Sequence, residues 1–554
     1  MSVNLIEDAW LPVLRRSGAS GWITPVGLTE TTGDPPVALD FPRPDWNAAV
    51  SEFLIGILAV ALRPKADEDW AERWEESPSP DALAAALQPL AFAFDLDGGG
   101  PRAFQDLDSL GSAEARPIAS LLIEAPGENT IRKNGDLFNK RGLVEALSPP
   151  YAAAALITLQ TYAPSGGAGH RTSLRGGGPL TTLISPREGH EVSSLWPRLW
   201  ANMPEVASGD LPPPGAPPTD PGWARVFPWL APTRTSEKAA AAVTPDDASE
   251  LIVFFATPRR IRLDFTPADG EACALGGPES PSLLRSYRTQ NYGANYLGWL
   301  HPLSPYRIDP TSGKLPLHPR AGPPSWRDWM GWWGFKDTGA KEASSEDMRP
   351  KVLRLWAARA PEVGRRPTDA DVAVFGFDMD NMKARAWIEQ SIPWIPAKSD
   401  ISIAVGKLVD GAQEAASALR FQAKIAIYGQ GQGTGDKRSW RLPDNVPRDA
   451  MNELADALWS STEPRFRRLL RELADDPTKS RDLREGFLQV LRSTALRLFD
   501  GAVDMDGLAG KDVRRLVVAR DALGRAFAWS GKGAKVAKAL GIEPQPTPAR
   551  EEVT

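Results

Sequence analysis

Residues 164–179 read PSGGAGHRTSLRGGGP, six glycines in sixteen residues with His170, Arg171 and Arg175 between the two glycine clusters. Glycine admits backbone conformations closed to other residues and lets bare main chain approach a neighbour closely. With cations alongside, such a stretch either turns the chain at the surface or offers backbone N–H groups to a ligand. Its flanks narrow the choice of fold. Ala152 to Leu159 enters the loop as a helix or buried strand, and 180–184, LTTLI, leaves it with the β-branched composition of a strand.

Outward from the loop, the 554 residues exceed what one hydrophobic core serves, so at least two domains are expected. The chain is 42% hydrophobic and 24% charged, the balance of an ordinary globular protein. A formal net charge of -6 argues against a general nucleic-acid coat protein and confines any polyanion site to a local basic face. Cys273 is the single cysteine, which excludes internal disulfides and thiolate zinc sites and fits a reducing, cytoplasmic location. The four histidines, His170, His190, His301 and His318, form no pair at helical ligand spacing. The first residues lack the order of a signal peptide, and the apolar run 53–62 is about half of a membrane span.

Several elements are legible. A strand and turn is expected over 3–13, a helix over 45–62 with Asp45 as N-cap, and a weaker helix over 82–96. The proline-dense segment 204–232 reads as an insertion or linker. Residues 251–255 and 261–265 read as two strands joined by a basic turn, ATPRR. Residues 285–306 mix Arg285 and Arg288 with Tyr287, Tyr292, Tyr296, Trp299 and Tyr306, which suits either phosphate and base contacts or a packed hairpin. Trp326, Trp329, Trp332 and Trp333 recur at helical spacing and are assigned to a core. Residues 372–377 form a strand ending at DMDNM, a hairpin tip. Beyond 398, apolar residues mark four helical faces, the second interrupted by Pro464, as in an antiparallel four-helix bundle.

Phosphate-loop chemistry is excluded, since no GxxxxGK[ST] occurs and 429–435, GQGQGTG, has no dinucleotide-binding register. That segment reads as a flexible connection. One enzymatic alternative stands beside the non-enzymatic one: Asp378 and Asp380 as a DxD metal site of a metal-dependent transferase. The basic stretch 131–141, IRKNGDLFNKR, reads as a solvated loop.

Taken in order, NLIEDAWLPV, SLRGGGPLTT, ATPRRIRL, WLHPLSPY, FGFDMDNMKARAW and the terminal helices resemble the CasA family, the large subunits of the type I-E CRISPR surveillance complex Cascade. The resemblance runs from residue 3 to about 541. It implies an α+β chain: a large mixed α/β N-terminal domain over 1–397, a C-terminal antiparallel four-helix bundle over 398–541, and a disordered tail over 542–554. It implies a non-enzymatic, cytoplasmic subunit without cofactor or membrane attachment. Its partners would be the other Cascade subunits and crRNA, target double-stranded DNA and the CRISPR helicase-nuclease. Such subunits read the protospacer-adjacent motif (PAM) from the minor groove, a degenerate readout, and start strand separation, while base pairing with the guide reads the sequence. Residue by residue, the family's glycine loop falls on Ser165 to Gly169, making Gly166, Gly167, Ala168 and Gly169 candidate DNA contacts. Its lysine finger falls on Gln290, with Arg288 two residues away on the same strand face as substitute. Its wedge falls on Asn381, flanked by Asp380 and Met382. Leu137, Phe138 and Asn139, with Arg132, Lys133 and Lys140, match the loop that contacts crRNA and a neighbouring subunit.

Overall fold

A computed structural model describes residues 3–542 except 65, 137–140, 168, 188–193, 238–240, 320–324, 334–347, 381, 397–399, 434–438, 504–511 and 532. The tail expected to be disordered lies, apart from Ile542, outside the described residues. The chain divides into two compact units, 1–321 with 344–391, and 322–343 with 392–554.

In the first unit β1 (Leu11–Arg15) lies between β2 (Ser20–Ile23) and β3 (Pro36–Leu39), antiparallel to both. In α1 (Pro44–Leu62) Pro44 sits in the first turn, where its missing N–H is an orphan in any case. The N-cap is Arg43 rather than the expected Asp45; Arg43 instead pairs with the buried Asp45 carboxylate at 2.9 Å. By length and composition α1 could cross a membrane, yet most of it is buried inside this unit. After α2 (Asp67–Glu75), the helix expected over 82–96 is two pieces, α3 (Pro80–Leu87) and a 3-10 turn, Gln88–Ala93. Pro89 cannot continue the hydrogen-bond ladder. β4 (Ala115–Pro117) and the short α4 (Glu128–Arg132) precede α5 (Pro149–Tyr162), which packs on α1 and runs into the glycine loop. The strand expected beyond the loop is β5 (Thr181–Pro186). α6 (Leu195–Trp200) and α7 (Trp223–Val226) follow. The proline-dense segment is thus no detached linker: Trp223, Phe227 and Trp229 are buried, and Phe227 and Trp229 ring Phe94 and Phe255.

The pair of strands expected around ATPRR is corrected. Residues 250–254 form a 3-10 turn, begun where Ser249 Oγ accepts a hydrogen bond from Leu251 N at 3.1 Å. An apolar run buried on every side carries no period to separate strand from helix. β6 (Arg260–Pro267) pairs instead with β7 (Ser282–Gln290), which takes β4 on its other edge. The hairpin expected over 285–306 is corrected likewise. Residues 285–290 are strand and Tyr306 opens another, but between them Tyr292 takes a left-handed conformation, φ 64°, and Pro302 and Pro305 cannot donate to a ladder. β8 (Tyr306–Asp309) and β9 (Gly313–Pro316) form a separate hairpin. The chain passes through α8 (Trp329–Trp332) of the second unit and returns with α9 (Lys351–Arg359), β10 (Ala370–Asp380) and β11 (Lys383–Pro393). β10 lies between β11 and β5, with Val372 opposite Ile184.

The second unit is helical. α10 (Asp400–Tyr428) packs against α11 (Asn452–Asp475), α12 (Ser480–Ala502), α13 (Val513–Ala526) and α14 (Lys535–Ala539). Pro464 does not interrupt α11. Its cost of about 3 kcal/mol is outweighed by a continuous buried face, Leu458, Phe466, Leu469, Leu470 and Leu473. The tryptophans are core as expected: Trp326 stacks on Phe466 at 3.9 Å between centroids and donates to the Trp459 carbonyl at 2.9 Å. Where a flexible connection was expected, β12 (Gln430–Gln432) pairs with β13 (Ser439–Arg441).

One buried cluster joins the sequence-distant parts of the first unit. The Glu52 carboxylate on α1 receives Arg175 from the glycine loop at 2.6 Å, the Tyr162 hydroxyl from α5 at 2.8 Å and the Thr181 hydroxyl from β5 at 2.8 Å. Arg175 also donates to Ser304 Oγ at 2.9 Å, and Ser304 to the Leu180 carbonyl at 2.7 Å. Both charged side chains are 3% exposed. Removing one partner of such a pair strands the other charge in the interior, so Arg175→Met is expected to lower unfolding free energy by about 3–5 kcal/mol, read from urea denaturation. An unshifted first transition would contradict this account of the cluster.

Candidate functional site

The glycine loop is folded back on itself and then docked at both ends. Ser173 N donates to the Ala163 carbonyl at 3.1 Å and Gly178 N to the Tyr162 carbonyl at 3.2 Å, which closes the loop on the end of α5. At its near end Gly169 (φ 79°) accepts from Tyr292 N at 2.7 Å, and a Cβ there would stand 2.8 Å from that of Asn291. At its far end Gly178 (φ 64°) lies so close to β10 that a Cβ would meet the Phe377 carbonyl oxygen at 2.7 Å. These two glycines are required by contact as well as by dihedral. The loop therefore bridges the turn after β7 and the β10–β11 hairpin.

The turn itself is strained. Tyr292 holds a left-handed backbone, uncommon for a bulky residue, fixed by its bond to Gly169 and by Ser236 N donating to its carbonyl at 3.1 Å. Its ring remains 38% exposed beside Gly169. At the end of the hairpin Met382 is 54% exposed, with Asp380, Lys383 and Arg385 exposed around it. Its root is packed: Trp387 lies edge-on to Phe377 and Tyr162 at 4.9 and 5.6 Å. Tyr162 is also a partner of Glu52, so the loop and the hairpin share one support.

The sequence-predicted residues fare unevenly. Gly166, Gly167, Gly169, Gln290, Asp380 and Met382 lie on elements that the loop contacts bring together; Ala168 and Asn381 lie outside the described residues. The cations expected to flank the loop do not face solvent together. Arg175 is sealed in the Glu52 cluster, and Arg171 is bound to the hydroxyl and carbonyl of Ser236, each at 2.7 Å. Arg288 is held to Asp264 at 3.3 Å and donates to the Ala113 carbonyl at 2.7 Å, while Gln290 reaches Ser112 Oγ at 3.3 Å. The DxD alternative is contradicted: Arg385 lies at 2.5 Å from the buried Asp378 carboxylate and 3.9 Å from Asp380, where a cation would have to sit. Among the described residues no group of three or more His, Cys, Asp or Glu is placed to hold a metal ion. In the basic stretch Arg132 and Lys133 are exposed, Arg141 pairs with Asp136 at 2.6 Å, and Leu137, Phe138, Asn139 and Lys140 lie outside the described residues.

Sequence reasoning missed Lys383 and Arg385 as site residues and named Tyr292 only among the aromatics of 285–306. The alternation of exposed Lys383 and Arg385 along β11 was available from the strand period. The backbone of Tyr292 leaves no trace in residue type.

The family model for CRISPR-associated protein Cse1 matches residues 4–498. Among solved structures, Thermobifida fusca Cse1 superposes with a TM-score of 0.73 at 18% identity, covering 98% of this chain and 99% of that one. The CasA of Thermus thermophilus gives 0.69 at 18% identity over 95% and 99%. A chain of a structure described as a CRISPR RNA-guided surveillance complex gives 0.65 at 15% identity over 95% and 99%. At such identities the likeness carries the fold.

Three histidines, His170 in the loop with His301 and His318, have pKa values shifted in one direction. Burial lowers the His318 pKa and burial with the neighbouring Arg259 and Arg116 that of His170; burial, then Arg175, holds His301 well below the usual value of 6.5. The unfolded chain binds these protons more readily, so stability is full above about pH 6.5 and falls as pH drops through it. The depressed carboxylates, such as Asp309, lose their contribution only below about pH 4. Melting temperature is therefore expected to decline once pH falls below about 6.5, before the carboxylates titrate; a flat profile there would contradict the assignment.

Proposed function

The chain belongs to the CRISPR-associated Cse1 family, and from that premise we propose that it is the large, non-enzymatic subunit of a type I-E CRISPR RNA-guided surveillance complex. In that role it recognises the PAM of target double-stranded DNA from the minor groove, promotes strand separation and R-loop formation, and helps recruit the helicase-nuclease. The reading extends to the rest of the architecture: the four long helices of the second unit form an antiparallel bundle, and the 131–141 stretch meets crRNA and a neighbouring subunit.

The observation that carries this reading is the pair of glycine contacts. Gly169 against residues 291–292 and Gly178 against Phe377 and Met379 join the loop to the turn after β7 and to the strand that leads to the hairpin tip. A minor groove about 6 Å wide admits backbone and slender side chains but not a helix, which suits a loop carrying hydrogen at its closest positions. Apolar wedges part base steps in other minor-groove proteins, and Met382 stands exposed at the tip. Lys383 is exposed and able to meet phosphate there, and Arg385 after exchanging its Asp378 partner for the DNA; charge-assisted contacts of this kind position a protein on a duplex without reading its bases. Arg288 contributes after exchanging its Asp264 partner for the DNA.

In the assembled complex, Asn381→Ala, Met382→Ser and Arg288→Ala are each expected to reduce R-loop formation while leaving assembly intact. Gly169→Val, which adds strain and a clash, is expected to weaken PAM-dependent duplex binding about tenfold or more. Gel shifts on duplexes with and without a PAM test this. Equal binding of both duplexes by the wild-type complex contradicts the function.

A further inference from the structure

Arg259 carries a cost that the fold alone does not explain. It is part-buried, its Nε is sealed from solvent without a partner, and among the described residues no carboxylate lies within ion-pair distance of it. Desolvation accordingly holds its pKa down to about 10. An enclosed cation without a counter-charge is expensive, so its placement calls for a return elsewhere.

Its backbone is fixed before its side chain reaches anything. Gln160 on α5 holds both polar groups of the residue, accepting from Arg259 N at 3.0 Å and donating to its carbonyl at 2.9 Å, and donates to the Phe104 carbonyl at 3.0 Å as well. The preceding Pro258 carbonyl abuts Gly293, where no Cβ fits. From this base the guanidinium forks. One arm donates to the Pro164 carbonyl, where the glycine loop begins, and the other meets His170 Nδ1, where its first glycine cluster ends. A guanidinium only donates, so His170 accepts through Nδ1 and keeps its proton on Nε2. Gly166 lies beneath the fork: a Cβ there would stand 2.7 Å from His170 Cβ and 3.2 Å from the guanidinium.

We infer that Arg259 is the positioning residue of the glycine loop, tying Pro164 to His170 across its neck and so setting the backbone that faces DNA. Within that cluster Gly167 has open space beside it, and among the described residues its other backbone tethers are His170 N donating to the Gly167 carbonyl at 3.2 Å and the Gly169 bond to Tyr292. Arg259 itself touches no base; it acts through the loop, and its role rests on the DNA-reading function proposed above. A loop held in its bound conformation avoids the ordering cost of binding.

The test uses the assembled complex with a guide, a duplex library matched to that guide with randomised flanking bases, and the corresponding single-stranded target. R259M is expected to lower the ratio of best-flank to worst-flank affinity about tenfold. Binding of the single strand, which needs no flank reading, is expected to stay unchanged, and R259K, which keeps one arm of the fork, to recover part of the ratio. A flank-selective wild type with an equally selective R259M, or an R259M that loses single-strand binding equally, overturns the role of Arg259 alone. A wild type indifferent to the flank overturns the DNA-reading function with it. Should R259M not assemble, H170A carries the test: it removes one anchored end, and selectivity that survives it overturns the clamp.

Discussion

The buried pair of Glu52 and Arg175 is the constraint on which the rest of the first unit depends. A carboxylate at the centre of an apolar helix is costly to desolvate, and it is held there because three segments satisfy it and a fourth satisfies its arginine. Arg175 comes from the glycine loop, Tyr162 from the helix before it, Thr181 from the strand after it, while Ser304 completes the arginine's fork from the segment before β8. Each supplies a polar group that would itself be expensive to bury alone. The cluster therefore fixes where the loop leaves and re-enters the core, which no amount of apolar packing would specify so narrowly.

From that anchor the site is assembled by backbone contact. The loop meets the Tyr292 turn through Gly169 and the β10 strand through Gly178, and Gly376 on β10 leaves room for the Pro179 carbonyl in return. Arg259 then draws the neck together. Side chains with freedom to reach outward are left at the hairpin tip, while most cations that look available in the sequence are spent on interior bonds. Buried support and exposed side chains are thus separate sets of residues.

That separation explains what was legible beforehand. The apolar helix over α1, the strands β5 and β10, the tryptophan core and the long helices follow from composition and period, which act locally. The glycine loop's composition left a surface turn and a ligand-facing loop both open, and the destination of its arginines was not legible. Arg175 and Arg171 resemble any loop cation until Glu52 and Ser236 are placed beside them, and those partners lie 123 and 65 residues away. The strand expected over 251–255 failed because burial on every side erases the period, and Pro464 failed as a stop because the buried face of α11 continues through it. The DxD pattern misled because Arg385, seven residues downstream, returns on β11 to occupy it.

The central claim is that the glycine loop, the end of β7 and the hairpin tip meet one short segment of duplex beside the guide-matched sequence. Site-specific photocrosslinking in the assembled complex tests it most directly, with a photoreactive residue placed in turn at Gly167, Gln290 and Met382 and the crosslinked nucleotides mapped. The account predicts that all three map to the same few base pairs flanking the guide-matched segment, from the minor-groove side. Crosslinks dispersed along the duplex, or to the guide RNA alone, would contradict it.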